Sequence, residues 1–150
     1  KAGEIDLATL LGTAMRLLPD RIVIGEVRGR EAMSLVQALS SSVDGAIVAA
    51  TGEGANAVLN RVAMLARATQ PFGSDVAIRE LVATAFEIVV HVGRAADGAL
   101  RVHSIEEVTG VAESHFDTDV VFQLKDGNFA ASGKVPTFYS ALGADQAVFR

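Results

Sequence analysis

The sequence predicts an α/β fold that continues into β-hairpins. Two short apolar runs, 21–27 and 46–50, are rich in β-branched residues and are typical of strands buried on both faces, as in a parallel sheet. Segments with apolar residues at helical spacing flank both runs. From Glu87 onwards the spacing of apolar residues is no longer helical. Strand-like segments follow one another there and meet at turns that contain Asp-Gly.

Helices of the first half are predicted from periodicity and from chain breakers. Pro19 ends the first helical stripe, and Pro71-Phe72-Gly73 separates the last two. Ser74 stands where an N-cap residue is expected. The spacing of apolar residues predicts four helices, over 5–17, 31–42, 55–69 and 75–86.

The second half contains two predicted hairpins and a short closing helix. Strands over 88–93 and 100–108 flank the loop 95–98, and a second strand pair flanks Asp126-Gly127-Asn128. The strands of that second pair are predicted over 120–124 and 129–132, and the closing helix is predicted over 137–142. The polar and uneven stretch 111–119 is predicted to be a mobile connector.

Composition excludes several classes of protein. A hydrophobic fraction of 50% is enough for a real core, and no apolar stretch is long enough to span a bilayer. The formal charge of −5 argues against nucleic-acid binding. Without cysteine there is no disulfide, thiolate nucleophile or Cys-based zinc site, which agrees with a cytosolic location. No signal peptide pattern occurs, and because the chain begins with Lys1 we expect it to be part of a longer protein.

Glu26 is the candidate functional residue that the residue pattern itself indicates. It follows the first predicted strand and precedes Val27-Arg28-Gly29. Ligands of open α/β sheets gather at the carboxyl ends of strands. An acid at such a position in nucleotide hydrolases can hold the Mg²⁺ shell or polarise the attacking water. A solvated acid that ends a strand agrees equally well with this pattern alone.

The segment around Glu26 resembles a known family. Residues 14–29 are similar to the Walker B region of the secretion ATPases, the hexameric motors of type II and type IV secretion and of tight-adherence pilus assembly. Residues 122–142 are similar to the tail of the pilus-assembly branch. Further matches follow in the family's order and spacing, at Asp44-Gly45, 77–80, Val90-His91, Asp97-Gly98 and 105–108.

The resemblance covers nearly all of the chain and implies both a fold and a division into domains. Residues 1–110 would form the second half of a RecA-like P-loop NTPase domain, including the first hairpin. Residues 111–150 would form an appended β-hairpin and a short C-terminal helix.

The same resemblance implies roles for individual residues. Glu26 would be the Walker B glutamate of the segment Arg21–Gly29 and would orient or deprotonate the attacking water, directly or through the Mg²⁺ shell. Arg28 would touch phosphate or hold Glu26, with a purely structural ion pair as the alternative. Arg16 matches an arginine before the family's Pro-Asp, where a phosphate-facing role competes with that of a helix-surface charge.

The chain departs from the family's pattern near the second strand. The family usually carries a histidine before Asp-Gly and another after the strand, and Val43 and Thr51 occupy these places here. A threonine hydroxyl can donate one hydrogen bond to the nucleotide, but it cannot gain charge near neutral pH. Leu18 stands where many relatives have a second arginine. These departures weaken the expectation of efficient catalysis.

No glycine-rich phosphate loop with its lysine occurs in the sequence. In the secretion ATPases it lies upstream of the Walker B strand, and so does a further acidic motif. We therefore expect ATP and Mg²⁺ to bind the intact protein and this segment alone to be inactive. Gly52-Glu53-Gly54 lacks lysine and contains an acid, which favours a tight turn over a phosphate loop. His91, His103 and His115 show no metal-ligand spacing.

Three functional hypotheses follow. The first is an ATP-hydrolysing motor for secretion or pilus assembly, a cytoplasmic homohexamer peripheral to the inner membrane that moves an inner-membrane platform protein and binds no nucleic acid. The second is a degenerate, non-catalytic structural or regulatory subunit of such a machine. The third is a plain interaction domain that folds alone and binds its partner without any nucleotide effect.

Overall fold

The computed structural model describes residues 5–41, 45–70, 73–95, 97–142 and 149. The order of its elements confirms an α/β segment followed by hairpins and a short helix. The helices are α1 (Leu7–Arg16), α2 (Glu31–Ser41), α3 (Ala55–Arg67) and α4 (Asp75–Ala85), with a 3₁₀ helix at Thr137–Leu142. The strands are β1 (Ile22–Ile24), β2 (Ala46–Val48), β3 (Ile88–Arg94), β4 (Leu100–Val111), β5 (Phe116–Lys125) and β6 (Asn128–Ala131).

β1 and β2 form a short parallel pair, with Ile22 opposite Ala46 and Val23 opposite Ile47. Ile22 is buried, whereas Val23 and Ile47 are 73% and 71% exposed. The prediction of strands buried on both faces is therefore wrong for the part of the chain described. Only one face of the pair packs into the core, so the side chains that alternate onto the other face meet solvent.

The four helices share one hydrophobic core with Ile22 of that inner face. In α3, the buried residues Leu59, Val62, Ala63 and Ala66 recur at i, i+3, i+4 and i+7, the spacing of a helix with one apolar face. The core cluster joins all the helices to β1 and to the start of β5, and comprises Leu11, Ile22, Val27, Ala32, Leu35, Val36, Leu59, Val62, Ala63, Ala66, Ile78, Val82 and Phe116.

The helices α1 and α4 differ in whether a side chain caps their first backbone N–H groups. The Asp6 side chain accepts a hydrogen bond of 2.8 Å from the backbone N–H of Thr9 at the start of α1. Ser74 occupies the N-cap position of α4, as predicted, but its side chain makes no capping hydrogen bond.

The second half is one antiparallel sheet with the strand order β3-β4-β5-β6. The hairpin predicted around Asp126-Gly127 is confirmed, with positive φ values of 49° and 81° at these two residues, as a primed turn requires. The first hairpin is also confirmed, since β3 and β4 pair on either side of the loop near Gly98. Ala96 of that loop lies outside the described residues.

The predicted connector over 111–119 is wrong for most of its length. β4 continues to Val111 and β5 begins at Phe116, which is 1% exposed. Asn56 of α3 donates from Nδ2 to the Phe116 carbonyl and accepts the Phe116 N–H at Oδ1, both at 2.8 Å. This contact spans 60 positions of sequence, so the local polarity of the stretch did not reveal it.

The short closing helix is confirmed at Thr137–Leu142 as a 3₁₀ helix. Glu107 of β4 is buried, and its Oε1 accepts hydrogen bonds from the N–H and the hydroxyl of Thr137, the first of them at 2.8 Å. The predicted division at residues 110 and 111 falls near the end of β4, and the strands on both sides belong to one sheet. The division into two domains stays a prediction.

Among the described helices, none has the length and apolar character that a bilayer crossing requires.

Candidate functional site

The candidate site lies at the carboxyl ends of β1 and β2. Glu26 follows β1 after one intervening residue, and Thr51 follows β2 after two. Because the two strands are parallel, both ends lie at the same edge of the pair. The Thr51 hydroxyl donates a hydrogen bond of 3.3 Å to Glu26 Oε1. The structure thus brings together two of the site residues that the sequence indicated.

Arg28 joins this pair from the position that follows the buried Val27. Val27 is buried, and its N–H donates to the Ala49 carbonyl at 2.9 Å, which continues the pairing beyond the strands. Glu26 and Arg28, on either side of Val27 in the chain, form an ion pair between Oε2 and Nη2. The Arg28 side chain is 76% exposed and that of Glu26 is 32% exposed.

The electrostatics of the cluster favour the ionised carboxylate. The hydrogen bond from Arg28 lowers the pKa of Glu26; partial burial opposes this, while the charges of Arg28 and Arg61 and the Thr51 hydroxyl add to it. The hydrogen bond to Glu26 raises the pKa of Arg28 in turn. A carboxylate with a lowered pKa is a weak proton acceptor. This arrangement therefore suits an acceptor that orients water or a metal's hydration shell better than one that removes a proton.

Two charged residues near the site were not singled out from the sequence. Arg61 lies on the exposed face of α3 and contributes positive charge to Glu26. Glu31 begins α2, and its Oε1 accepts the backbone N–H groups of Arg28 at 2.6 Å and of Gly29 at 2.9 Å. An acid in the first turn of a helix, directly after a loop, was the available signal for Glu31.

The pKa of Glu31 is also lowered. Burial of its carboxyl raises the pKa, but the N–H groups of Arg28, Glu31 and Gly29 donate hydrogen bonds to its ionised form and outweigh that cost.

Arg16 is not part of the cluster in this structure. It is exposed in the last turn of α1, and within the described residues it forms no ion pair with Glu26. Leu18, where many secretion ATPases have an arginine, is exposed and has a left-handed φ of 51°. Val43 and Asp44 lie outside the described residues. The phosphate-facing role of Arg16 stays a prediction.

The glycines after β2 form a tight turn against α3. A Cβ at Gly52 would lie 2.9 Å from the backbone of Val58 in the first turn of that helix. Gly54 is the N-cap residue of α3 and has a φ of 88°, a conformation that L side chains rarely adopt.

Carboxylate and hydroxyl oxygens are the donors that this site offers to a cation. Hard divalent cations such as Mg²⁺ prefer such oxygens and commonly use only one or two carboxylates beside substrate phosphates. Glu26 fits that chemistry. Among the described residues no group of three histidine, aspartate or glutamate side chains could hold a metal on its own. The His91 and His103 rings instead pack on each other, with their centroids 5.3 Å apart.

Comparison with known proteins gives concordant results. The family model described as type II/IV secretion system protein matches residues 1–117. The conjugal transfer protein TrbB of Rhizobium radiobacter is 30% identical over 128 residues, which cover 85% of this chain and 38% of that protein. A putative conjugal transfer protein of Mycobacterium tuberculosis is 33% identical over 104 residues, 69% of this chain and 29% of that protein.

A solved structure resembles the chain as well. The VirB11 ATPase from the Brucella suis type IV secretion system, crystallised in complex with sulphate, superposes with a TM-score of 0.62 and 26% identity over 69% of this chain and 32% of its own. This likeness confirms the expected fold class, part of a RecA-like ATPase domain. The chain spans only about a third of the length of these relatives.

Proposed function

This chain belongs to the type II/IV secretion system protein family, and from that premise we propose that the intact protein is an ATP-hydrolysing motor with Glu26 at its catalytic centre. One observation supports the assignment above the others. Glu26 stands at the carboxyl edge of a parallel strand pair, where Thr51 and Arg28 both hold its carboxylate. A solvated acid that merely ends a strand needs no such partners.

The chemistry suits phosphoryl transfer to water. Such reactions require mainly positioning and electrostatic stabilisation, because the protein forms few covalent bonds of its own. The ionised Glu26 would accept a hydrogen bond from the attacking water or from the hydration shell of Mg²⁺. Thr51, Arg28 and Arg16 would contact the nucleotide. When bound, Mg²⁺ would neutralise charge on the phosphates.

The assembly and its place in the cell belong to the same proposal. We propose a homohexameric ring on the cytoplasmic side of the inner membrane, acting on a platform protein of a secretion or pilus machine. The relatives are conjugal transfer proteins and a type IV secretion ATPase, which supports a secretion role. The sulphate in the crystals of that ATPase is a tetrahedral oxyanion, as is a phosphate group.

A second candidate function is a non-catalytic subunit of the same machine. Thr51 supports it, because a hydroxyl stands where the secretion ATPases usually carry a histidine. The hydroxyl engages Glu26 but cannot gain charge near neutral pH. A plain interaction domain is the third candidate, and it predicts partner binding that nucleotide does not change.

The deciding experiment measures ATP turnover by the intact protein and its Glu26→Gln variant. We expect hydrolysis by the wild type and a loss of about a hundredfold or more in the variant, as for removal of a group that stabilises the transition state. Glu80→Gln, at an exposed position of α4, is the matched control and should retain turnover. Full turnover in Glu26→Gln would contradict the catalytic assignment. No turnover by an assembled wild type would favour the non-catalytic subunit.

A further inference from the structure

We propose that Glu31 is a positioning residue: its carboxylate fixes the Arg28–Gly29 turn and thereby keeps the Arg28 guanidinium on Glu26. The expected effect on turnover rests on the proposed function. The expected effect on the turn itself does not, so the two can fail separately.

The contacts of Glu31 converge on one turn. Its Oε1 accepts the N–H groups of both Arg28 and Gly29, at 2.6 and 2.9 Å. The Gly29 carbonyl accepts the N–H of Ala32 at 3.2 Å, which ties the same turn to the start of α2. Backbone N–H groups at a helix start have no acceptor within the helix, so a side chain that reaches back can hold the preceding residues. Glu31 makes α2 and the turn one unit.

The other end of the turn is anchored as firmly. Val27 is buried and donates its N–H to the Ala49 carbonyl beyond β2. Residues 27–29 are therefore held on one side by the strand pair and on the other by Glu31. Removal of the Glu31 carboxylate would leave the turn held at Val27 and by the backbone hydrogen bond from Ala32 to Gly29, with the N–H groups of Arg28 and Gly29 released.

The Arg28 side chain depends on that backbone for its direction. It is 76% exposed, so the core does not fix it, and its partner Glu26 is partly exposed. Exposed ion pairs are weak, because two long side chains must be held in one geometry. A rigid turn removes part of that cost. The orientation of Arg28 on Glu26 should consequently fail when the turn loosens.

Three variants separate the acceptor oxygen from the charge. Glu31→Ala removes both. Glu31→Gln keeps an oxygen at the same reach but without charge, and charge-assisted hydrogen bonds are roughly twice as strong as neutral ones. Glu31→Asp keeps the charge at the helix start but shortens the reach. Glu80→Ala, at an exposed position of α4, is the matched control.

The first measurement is hydrogen exchange of the backbone N–H groups of Arg28 and Gly29 in the intact protein. Glu31→Ala should accelerate both by about tenfold, the effect of losing a hydrogen bond of ordinary strength. Glu31→Gln, whose neutral hydrogen bond is weaker, should accelerate exchange less than Glu31→Ala does, and Glu80→Ala should leave it unchanged. Unchanged exchange in Glu31→Ala overturns the proposal. If Glu31→Ala does not fold, Glu31→Asp takes its place with the same expectation.

The second measurement is a double-mutant cycle on turnover. Glu31→Ala should lower kcat about tenfold, as misplaced catalytic groups do, while KM for ATP changes less than about twofold. Arg28→Ala should then cost little more in the Glu31→Ala background, because both changes remove the same orientation. Additive losses overturn the positioning role. Absence of turnover in the wild type refutes the proposed function instead, and hydrogen exchange alone then decides on Glu31.

Discussion

The two sheets of this molecule obtain their stability in different ways. β1 and β2 are three residues long, and Val23 and Ile47 on their outer face are largely exposed. The antiparallel strands run from four to twelve residues and pair in sequence order through short turns. Antiparallel neighbours need only a hairpin, whereas parallel strands need a crossover, here α2. The candidate site lies at the edge of the shorter, parallel pair. The longer, antiparallel sheet contributes Phe116 to the core that both sheets share.

Phe116 offers the strongest test of that comparison, because it joins the antiparallel sheet to the helices. It is almost fully buried, and the guanidinium of Arg79 lies 5.7 Å from its ring centroid. Phe116→Ala should lower the free energy of unfolding by about 3–5 kcal/mol. Denaturant titration measures the loss. Phe129→Ala, at a half-exposed position of β6, should lower the free energy of unfolding clearly less. Equal losses would show that the contact of Phe116 with the helices contributes no more to stability than this half-exposed position does.

Gly52→Ala tests the region of the parallel pair, and its expected loss of stability is smaller than that of Phe116→Ala. A Cβ at this position would meet the backbone of Val58, which cannot move as a side-chain tip can. Gly52→Ala should therefore cost about 1–3 kcal/mol of stability. Gly12→Ala in α1 is the control, since it has open space there and should stabilise the helix by roughly 0.5–1 kcal/mol. A neutral Gly52→Ala would mean that the turn before α3 adjusts freely.

Low pH should reduce the stability of both regions, because folding lowers the pKa of carboxyl groups in each of them. In the site region these are Glu26 and Glu31, and in the first hairpin Asp97, where the Ala99 N–H and then Arg101 stabilise the carboxylate. A lowered pKa contributes stability above the unfolded-state value, about 4, and this is lost as pH falls through the folded-state value. Unfolding measured between about pH 6 and pH 2.5 should show that loss.

Comparison of Asp97→Asn with Glu31→Gln assigns the acid effect to a region. Each variant should flatten the pH dependence of unfolding, since the neutral amide no longer titrates. Asp97 acts within its own hairpin, because its hydrogen-bond partners are two and four residues away. A pH dependence that neither variant changes would contradict both assignments.

Local pattern predicted most elements for a physical reason. The 3.6-residue period of α3 and the Asp-Gly turn at 126–127 each depend on neighbours within a few positions. The start of β5 did not follow from such neighbours, because Phe116 is held by Asn56 of α3. The burial of Val23 also failed as a prediction, since its apolar character says nothing about whether a layer covers it.

The residues of the candidate site also differ in whether the sequence indicated them. Glu26 was indicated by its place after a predicted strand and by the resemblance to the secretion ATPases, whereas Arg28 and Thr51 were indicated by that resemblance. Arg61 and Glu31 were not singled out, because their relation to Glu26 arises from packing of α3 and from a side chain that turns back on its own helix start.

By itself, the sequence determined the kinds and order of the elements, the family and the acid at the end of β1. These follow from short-range periodicity and from an ordered set of motifs. Only the tertiary structure decided which face of β1 and β2 is covered, how Asn56 holds β5, and how Glu31, Arg28 and Thr51 surround Glu26. Each of these depends on distances between residues brought together by folding, which no local pattern of hydrophobicity encodes.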